Sequence, residues 1–212
     1  MGPELIETIR NQAKRFGAQF DRGMLNSVDF SKRPFQLNVD SLGEIYAESV
    51  IISTGASSRM LQITGERENL GHGISTCVTC DGFFFRNKKV IVIDGGDFAI
   101  EESTFLTKFA SEVRVVHLRN ELRVSKIMQE RAKENQKISW RFNHTPIETV
   151  SGDKKVTGLK VVRNNDTGEE KILEAEGIFL AIGHIPYADF LQSVIDVDTF
   201  LISLFCKWSH IS

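Results

Sequence analysis

The sequence predicts an α/β fold built around a parallel β-sheet, and two stretches of the chain carry this prediction. In residues 88–117, an apolar run, a glycine-containing turn, a helical pattern and a second apolar run follow one another. This order is that of a βαβ unit about 30 residues long. Residues 178–182 form a further short apolar run, which is typical of a parallel strand covered on both faces.

The beginning of the chain predicts one helix and a small antiparallel meander. Apolar residues recur at helical spacing over residues 3–16, and Gly17 ends the pattern. Residues 35–39 alternate between apolar and polar, as in a half-buried strand, and residues 45–52 then predict a buried strand. Residues 65–73 combine turn formers and charged residues without periodicity, so we expect a linker there.

Helices and strands alternate in the rest of the chain. Ala99, Leu106 and Ala110 share one face of the helix inside the βαβ unit. A second helix over residues 125–134 precedes an alternating strand over residues 138–142. Further predicted elements are a strand that holds Leu159 and Val161, a turn at residues 165–168 and the buried strand at residues 178–182.

Composition and charge exclude several classes of protein. The chain has 212 residues, 41% of them hydrophobic and 25% charged, which is the balance of a soluble globular protein. Its formal net charge of −2 provides no general attraction for nucleic acid or anionic lipid. No secretory signal opens the sequence, and no apolar run reaches the ~20 residues that span a bilayer. We therefore expect a cytoplasmic protein with no nucleic-acid or membrane partner.

Two of the three cysteines, Cys77 and Cys80, are separated by two residues. Such a pair closes a small disulfide ring, so that one thiol can attack a disulfide while the other resolves it. Asp81 directly follows the pair and is a candidate proton donor to the departing sulfur. The alternative is half of a zinc site, but zinc needs four ligands, and the chain offers only scattered histidines and Cys206. A redox pair without metal is therefore favoured, and two inert buried cysteines do not explain the spacing.

A candidate dinucleotide-binding turn follows the first strand of the βαβ unit. The pattern that places a pyrophosphate on a helix N-terminus is G-x-G-x-x-G/A, and residues 94–99 read DGGDFA. Gly96 and Ala99 match this pattern, whereas Asp94 stands where the first glycine is expected. A carboxylate there adds a side chain and a negative charge near the phosphate position. An ordinary strand-to-helix turn is the alternative interpretation of this pattern alone.

The segment around the cysteines resembles the active-site segment of the low-molecular-weight thioredoxin reductases, which use FAD and NADPH. Residues 73–85 read GISTCVTCDGFFF, and this run is long enough to be specific. The resemblance continues through Glu101 and Glu102, residues 125–130 and residues 181–186. It covers the chain from Gly2 to about residue 198 and corresponds to the middle of the family's chain.

The resemblance implies that electrons pass from NADPH through FAD to the Cys77–Cys80 disulfide and on to thioredoxin. It implies that Cys80 faces the flavin and that Asp81 serves as acid/base. In the family, the reduced pair reaches thioredoxin only after the nicotinamide domain rotates relative to the flavin domain. The alternatives are a non-catalytic fragment and a related flavoprotein disulfide reductase, such as a peroxiredoxin reductase or a ferredoxin-linked reductase.

The resemblance also points to cofactor-binding residues. Those of the nicotinamide site are Gly95, Gly96, Asp97, Ala99, His117, Arg119, Arg123, Ile182 and Gly183. Arginines without a carboxylate after the strand favour NADPH over NADH, although Leu118 replaces a third arginine of the family, which weakens the affinity. Residues Thr54, Gly55 and Ala56 resemble an element beside the flavin. The family's glycine-rich FAD fingerprint has no counterpart in the sequence, so we expect no tight FAD binding.

Together these features predict a three-layer, Rossmann-like FAD/NAD(P)-binding fold with one nearly complete nucleotide-binding domain and a partial flavin domain. The predicted divisions are a flavin-domain remnant over residues 1–73, an NADPH-binding domain with the cysteine pair over 74–186 and an aberrant tail over 187–212. Relative to the family we expect a chain truncated at both ends, and we expect a homodimer because the family usually forms one.

Overall fold

The computed structural model describes residues 2–153, 155–164, 168–188 and 191. The chain divides into two compact units, one of Met1–Gly55 with Pro186–Ser212 and the other of Ala56–Ile185. This division differs from the predicted domains, because residues 56–73 group with the second unit. The domain boundaries stay predictions. Most of the predicted turn at 165–168 and of the predicted tail at 187–212 lies outside the described residues.

The first unit contains one helix and one antiparallel sheet. Helix α1 spans Gly2–Arg15, and strands β1 (Leu25–Asp29), β2 (Phe35–Val39) and β3 (Gly43–Ala47) pair in the order β1-β2-β3. The predicted helix and meander are therefore confirmed. None of residues 2–55 is buried.

The prediction of a buried strand over residues 45–52 is wrong. Strand β3 ends at Ala47, which pairs with Phe35 at the start of β2. The residue before Phe35 is Pro34, which has no N–H to donate to the ladder, so pairing stops there. Beyond the strand, Ile51 is 94% exposed. The apolar character of this stretch is not matched by burial.

The second unit contains the βαβ unit and the elements that cover it. Its helices are α2 (Val78–Asp81), α3 (Asp97–Leu106) and α4 (Lys126–Glu134), and a 3₁₀-helix over Gly82–Phe85 follows α2. Its strands are β4 (Ala56–Ser58), β5 (Ile74–Ser75), β6 (Lys89–Ile93), β7 (Glu112–His117), β8 (Ile138–Phe142), β9 (His144–Ser151), β10 (Val156–Arg163), β11 (Glu170–Glu174), β12 (Gly177–Leu180) and β13 (His184–Pro186). The helices and strands predicted for this part of the chain are confirmed in type.

A parallel sheet in the order β5-β12-β6-β7-β8 forms the middle of three layers. Because side chains alternate along a strand, Val90 and Val92 pack with residues of α3 and α4 on one face. Ile91 and Ile93 pack with residues of β10 and β11 on the other face. The antiparallel sheet β11-β10-β9 is the third layer. The predicted three-layer α/β fold is confirmed.

The predicted linker over residues 65–73 is partly buried. Glu66 is 1% exposed, and its carboxylate accepts hydrogen bonds from the N–H groups of Leu61 (2.7 Å) and Gln62 (2.8 Å). Asn69 is also buried and donates to Thr149 Oγ1 at 3.2 Å. Polar residues here satisfy backbone and side-chain groups inside the second unit, so their lack of periodicity does not mark a linker.

The parallel strands bring the candidate site residues to one edge of the sheet. Cys77 follows β5, Asp94 follows β6, His117 ends β7 and Ile182 follows β12. The carboxyl ends of parallel strands meet at the same edge, which is where ligands of open α/β sheets bind.

Candidate functional site

The cysteine pair lies at the start of helix α2, directly after β5. Cys77 is the N-cap residue of α2, and its Sγ is bonded to Cys80 Sγ, with the two Cα atoms 5.3 Å apart. Cys77 is half-buried, whereas Cys80 is exposed. The structure therefore brings the two predicted redox residues together in a small disulfide ring at the surface of the second unit.

Polar groups surround the Cys77 sulfur. The Cys80 N–H donates to Cys77 Sγ at 3.2 Å, and Thr79 Oγ1 lies 3.4 Å from the same sulfur. The N–H of Cys77 donates to Ser75 Oγ at 3.0 Å. Donors aimed at a sulfur favour its thiolate form, so the local geometry favours Cys77 as the sulfur that holds negative charge after reduction.

Asp81, the predicted acid/base, is held by a serine. Its Oδ2 accepts a hydrogen bond from Ser75 Oγ at 2.7 Å, and its N–H donates to the Cys77 carbonyl at 3.1 Å. Because Ser75 also accepts from the N–H of Cys77, one buried serine connects the carboxylate to the cysteine segment. This contact orients the carboxylate, while its role as proton donor stays a prediction.

Glu102 is a carboxylate at this site to which the sequence assigned no role. It lies on α3, is half-buried, and accepts a hydrogen bond from the N–H of Val78 in the first turn of α2. Burial raises the pKa of Glu102 to about 7, and the Val78 hydrogen bond opposes this shift. The helical face of Ala99 and Leu106 also contains Glu102, and a carboxylate on that apolar face was the signal available in the sequence.

Aromatic side chains are exposed next to the disulfide. Phe83 and Phe84, in the 3₁₀-helix after α2, are 58% and 70% exposed. The Arg86 guanidinium lies over the Phe83 ring, 4.9 Å from its centroid. Two exposed aromatic rings and a cation beside a reactive bond form a surface suited to contact with another protein.

The glycine turn after β6 has the close packing that a dinucleotide turn requires. A Cβ at Gly95 would lie 2.7 Å from carbon atoms of the His117 ring, so only glycine fits there. Gly96 is the N-cap of α3 and makes no side-chain cap, which leaves N–H groups of the first turn available to an anion. Asp97 begins the helix and is exposed, and Ala99 is fully buried against the sheet.

His117, Asp94 and Arg123 meet at this turn. Asp94 Oδ1 lies 3.5 Å from His117 Nδ1 and 3.8 Å from a terminal nitrogen of Arg123. The Arg123 N–H donates to the Gly95 carbonyl at 2.9 Å. The side chain of His117 is only 1% exposed, and within the described residues neither ring nitrogen has a hydrogen-bond partner in bonding geometry. Burial lowers the pKa of His117, an effect that Asp94 opposes.

Comparison with known proteins places these features in a family. Residues 3–199 match the family described as pyridine nucleotide-disulphide oxidoreductase. The chain belongs to the pyridine nucleotide-disulphide oxidoreductase family. It is 48% identical over 198 residues to the bifunctional thioredoxin reductase/thioredoxin of Mycobacterium leprae, covering 93% of this chain and 43% of that protein. It is 44% identical to the thioredoxin reductase of Mycolicibacterium smegmatis, covering 93% of this chain and 62% of that protein.

Solved structures of thioredoxin reductases are also similar to this chain. The thioredoxin reductase from Giardia duodenalis superposes with a TM-score of 0.80 at 33% identity, over 94% of this chain and 65% of that chain. The Lactococcus lactis thioredoxin reductase gives 0.73 at 34% identity, with the same coverage. The resemblance to thioredoxin reductases is confirmed. The chain spans less than two thirds of the length of these relatives.

The predicted nicotinamide-site residues fall into two groups. Ile182 and Gly183 follow β12 beside the glycine turn, because the Ala181 N–H donates to the Ile93 carbonyl at 3.3 Å and the His184 and Phe98 rings are 6.2 Å apart. Arg119 is exposed one residue beyond Leu118, which is 55% exposed. The structure therefore brings Ile182 and Gly183 to the turn, while Arg119 lies free to reach an incoming phosphate.

The donor groups at the turn fit a pyridine nucleotide. The orphaned nitrogens of buried His117, the uncapped start of α3 and the exposed guanidinium of Arg123 all suit phosphate oxygens. The Asp94 carboxylate is the one group among them that opposes an anion. Residues Gly95, Gly96, Arg119 and Arg123 would hold the nucleotide phosphates.

The described residues do not fit FAD in the same way. Thr54 and Gly55 end the first unit and Ala56 begins the second, and all three are exposed. Within the described part of the chain, no second glycine-rich turn joins a strand to a helix, so no seat for the FAD pyrophosphate is formed.

Two further observations on the described residues concern metal binding and membrane spanning. Among them, no group of three or more His, Cys, Asp or Glu side chains is placed to hold a metal ion. No helix in the described ranges has the length and apolar character required to cross a bilayer.

Proposed function

We propose that this chain supplies the disulfide and the nicotinamide-nucleotide turn of a thioredoxin-disulfide reductase. The reaction proposed for the whole protein takes electrons from NADPH through FAD to the Cys77–Cys80 pair and on to thioredoxin. The observation that carries the proposal is the Cys77–Cys80 disulfide at the same sheet edge as the turn at residues 94–99. The thioredoxin reductases among the relatives support it.

Thiol–disulfide exchange follows from the geometry of the pair. In the reduced state, the Cys77 thiolate attacks one sulfur of the partner's disulfide and forms a mixed disulfide, and the partner's other sulfur leaves and takes up a proton. The Cys80 thiolate then attacks Cys77 Sγ, which breaks the mixed disulfide and releases the partner's second sulfur as a thiolate, and this thiolate also takes up a proton. Two electrons pass to the partner, and the Cys77–Cys80 disulfide re-forms.

Local hydrogen bonds support these assignments of the two sulfurs. The Cys80 N–H and the Thr79 hydroxyl stabilise charge on Cys77 Sγ, which makes it the attacking sulfur. Asp81, held by Ser75, is the proposed proton donor to the departing thiolate. A bound NADPH supplies a hydride, and the residues of this chain act on it only by binding and orienting its phosphates.

Thioredoxin is the partner that we propose. Support comes from the exposed Phe83 and Phe84 rings and from Arg86 beside the disulfide, which offer an apolar and cationic contact surface. We also propose FAD as a cofactor of the whole protein, the cytoplasm as its compartment and a homodimer as its assembly; these follow from the resemblance to thioredoxin reductases.

A non-catalytic fragment is the second candidate, and Asp94 is the observation that favours it. Its carboxylate lies 3.8 Å from a terminal nitrogen of Arg123, where it opposes a phosphate, and its backbone has φ of 116°, a conformation better suited to glycine. Such a chain would bind a nucleotide or a thiol partner without turnover.

One assay separates the two candidates. NADPH oxidation is followed by absorbance with thioredoxin, in the presence and absence of added FAD, for the unaltered chain, Cys80→Ser and Cys206→Ser. Turnover that is lost in Cys80→Ser and kept in Cys206→Ser supports the reductase. Absence of turnover under all conditions, in a chain that still binds NADP⁺, supports the non-catalytic candidate.

A further inference from the structure

Asp94 occupies an unusual position in the glycine turn. It has φ of 116°, a region that residues with a Cβ rarely adopt. Its N–H donates to the Val116 carbonyl at 3.1 Å, which ties the turn to β7. The carboxylate is 21% exposed and points at the two cationic or protonatable groups of the turn, His117 and Arg123. The residue thus places a negative charge where the fold otherwise prepares a site for phosphate.

His117 is the group that links this charge to protons. Its ring packs against Gly95, is 1% exposed and lacks a hydrogen-bond partner for either nitrogen among the described residues. Burial lowers its pKa, the Asp94 charge raises it, and the charges of Arg123 and Arg119 lower it. An anion added beside the ring favours its protonated form.

The other charged groups near this ring do not replace Asp94. Asp97, at the start of α3, is exposed. Arg141 of β8 pairs in register with Val116 and donates to the Trp140 carbonyl at 2.8 Å. The charged groups that act on the ring are therefore the Asp94 carboxylate and the guanidinium groups of Arg123 and Arg119.

We propose that Asp94 acts as an internal anion in the nucleotide turn, so that a phosphate group binds there with uptake of a proton by the Asp94–His117 pair. The inference rests on the proposed nucleotide function. When the imidazole takes up a proton, its positive charge compensates the negative charge of the Asp94 carboxylate. The Arg123 guanidinium can then bind the phosphate. Without the proton, the incoming phosphate meets a carboxylate that already holds Arg123. Asp94 is thus a residue that sets the affinity for nucleotide and its dependence on pH.

The test measures NADP⁺ binding by calorimetry at pH 8 and pH 5.5 for the unaltered chain and Asp94→Asn. Asparagine keeps the shape of the side chain and tolerates positive φ. At pH 8 we expect Asp94→Asn to bind NADP⁺ about tenfold more tightly, because one opposing charge is gone. As the pH falls from 8 to 5.5, we expect the two dissociation constants to approach each other, because a proton taken up by His117 compensates the charge of Asp94. The titration of the ligand's own phosphate is common to both proteins and cancels in this ratio.

Two controls make the result specific. Asp97→Asn removes a carboxylate from the same turn without changing the surroundings of His117. The ratio of its dissociation constant for NADP⁺ to that of the unaltered chain should therefore be the same at both pH values. In the absence of ligand, an NMR titration of the His117 ring should give a lower pKa in Asp94→Asn than in the unaltered chain, because Asp94 raises it.

The outcomes separate this inference from the proposed function. If both proteins bind NADP⁺ but the ratio of their dissociation constants does not change with pH, the role of Asp94 is overturned and the nucleotide site stands. Equal affinity of Asp94→Asn and the unaltered chain at pH 8 has the same meaning. Absence of NADP⁺ binding in all the proteins overturns the nucleotide site and this inference with it.

Discussion

The two compact units of the chain differ in what they bury. The second unit packs two apolar clusters, one on each face of its parallel sheet. Residues 2–55 of the first unit form a helix and a three-stranded sheet but bury none of their side chains. The difference teaches that local patterning can give the type of an element, as it does for α1 and β2, whereas a core needs several elements that cover one another.

The same difference bears on function. The disulfide and the glycine turn both belong to the second unit, where they follow strands β5 and β6, whose residues are buried except for Lys89. Reactive groups that are held by a packed sheet keep their geometry. In the first unit, apolar side chains of α1 such as Leu5 (61% exposed) and Ile9 (53% exposed) are open to solvent. The chemistry that we propose therefore depends on the second unit.

The largest expected effect comes from one substitution made in both units. Ile91 of β6 is 0% exposed and Ile9 of α1 is 53% exposed. We expect Ile91→Ala to lower the free energy of unfolding by about 2–5 kcal/mol, because it leaves a cavity in a packed core. Ile9→Ala should change it by less than about 0.5 kcal/mol. Denaturant titration followed by circular dichroism measures both, and losses of equal size would remove the distinction between the units.

A smaller effect is expected at the contact between α3 and the cysteine helix. The pKa of Glu102 is raised from 4.5 to about 7 by burial. The folded chain therefore keeps a proton that the unfolded chain has lost, and stability falls as pH rises from about 4.5 to about 7. Glu102→Gln removes this loss of stability at high pH. It also keeps a side-chain oxygen that accepts a hydrogen bond from the Val78 N–H. After allowance for solvent screening, we expect Glu102→Gln to raise the free energy of unfolding by about 1 kcal/mol at pH 8 and to change it little at pH 4.5.

The neighbouring carboxylate supplies the control for Glu102. Glu101 is exposed on the same helix, so Glu101→Gln should leave the pH dependence of unfolding unchanged. If Glu102→Gln shows the same slope of stability against pH as the unaltered chain, then burial does not shift this group.

The smallest effect compares a helix of each unit. Ser125 Oγ caps α4 by accepting from the Met128 N–H at 3.4 Å, and α4 contributes the buried Ala132 to the core. Ser125→Ala should cost about 0.5–2 kcal/mol. Thr8 of α1 donates only to the Glu4 carbonyl within the exposed helix, so Thr8→Ala should be neutral or slightly stabilising, since alanine favours helix. Thermal unfolding would contradict this comparison if Thr8→Ala lowered stability as much as Ser125→Ala.

The sequence predicted the second unit well for a physical reason. Residues 90–93 are apolar at every position because both faces of their sheet are covered, and this pattern is visible without a structure. Residues 45–52 have a similar composition, but their pairing depends on Pro34 elsewhere in the chain. The burial of Glu66 likewise depends on backbone groups that no local pattern reveals.

The site was predictable in its chemistry but not in its contacts. The spacing of Cys77 and Cys80 indicates a disulfide, and the order of strand, glycines and helix indicates a nucleotide turn. The approach of Asp94 to His117 and Arg123 joins the loop after β6 to the end of β7 and the loop that follows it, so it depends on the three-dimensional fold. The contact between Glu102 and Val78 depends on how α3 packs against α2.

The central claim is that the Cys77–Cys80 pair passes two electrons to thioredoxin, and a single-turnover exchange tests it most directly. The chain is reduced with dithiothreitol, freed of the reductant and mixed with oxidised thioredoxin, and the thiols of each protein are counted by alkylation and mass spectrometry. The account predicts one thioredoxin reduced per chain, with Cys77 and Cys80 reoxidised, and none reduced by Cys77→Ser. No transfer from the unaltered chain, or equal transfer from Cys77→Ser, would contradict it.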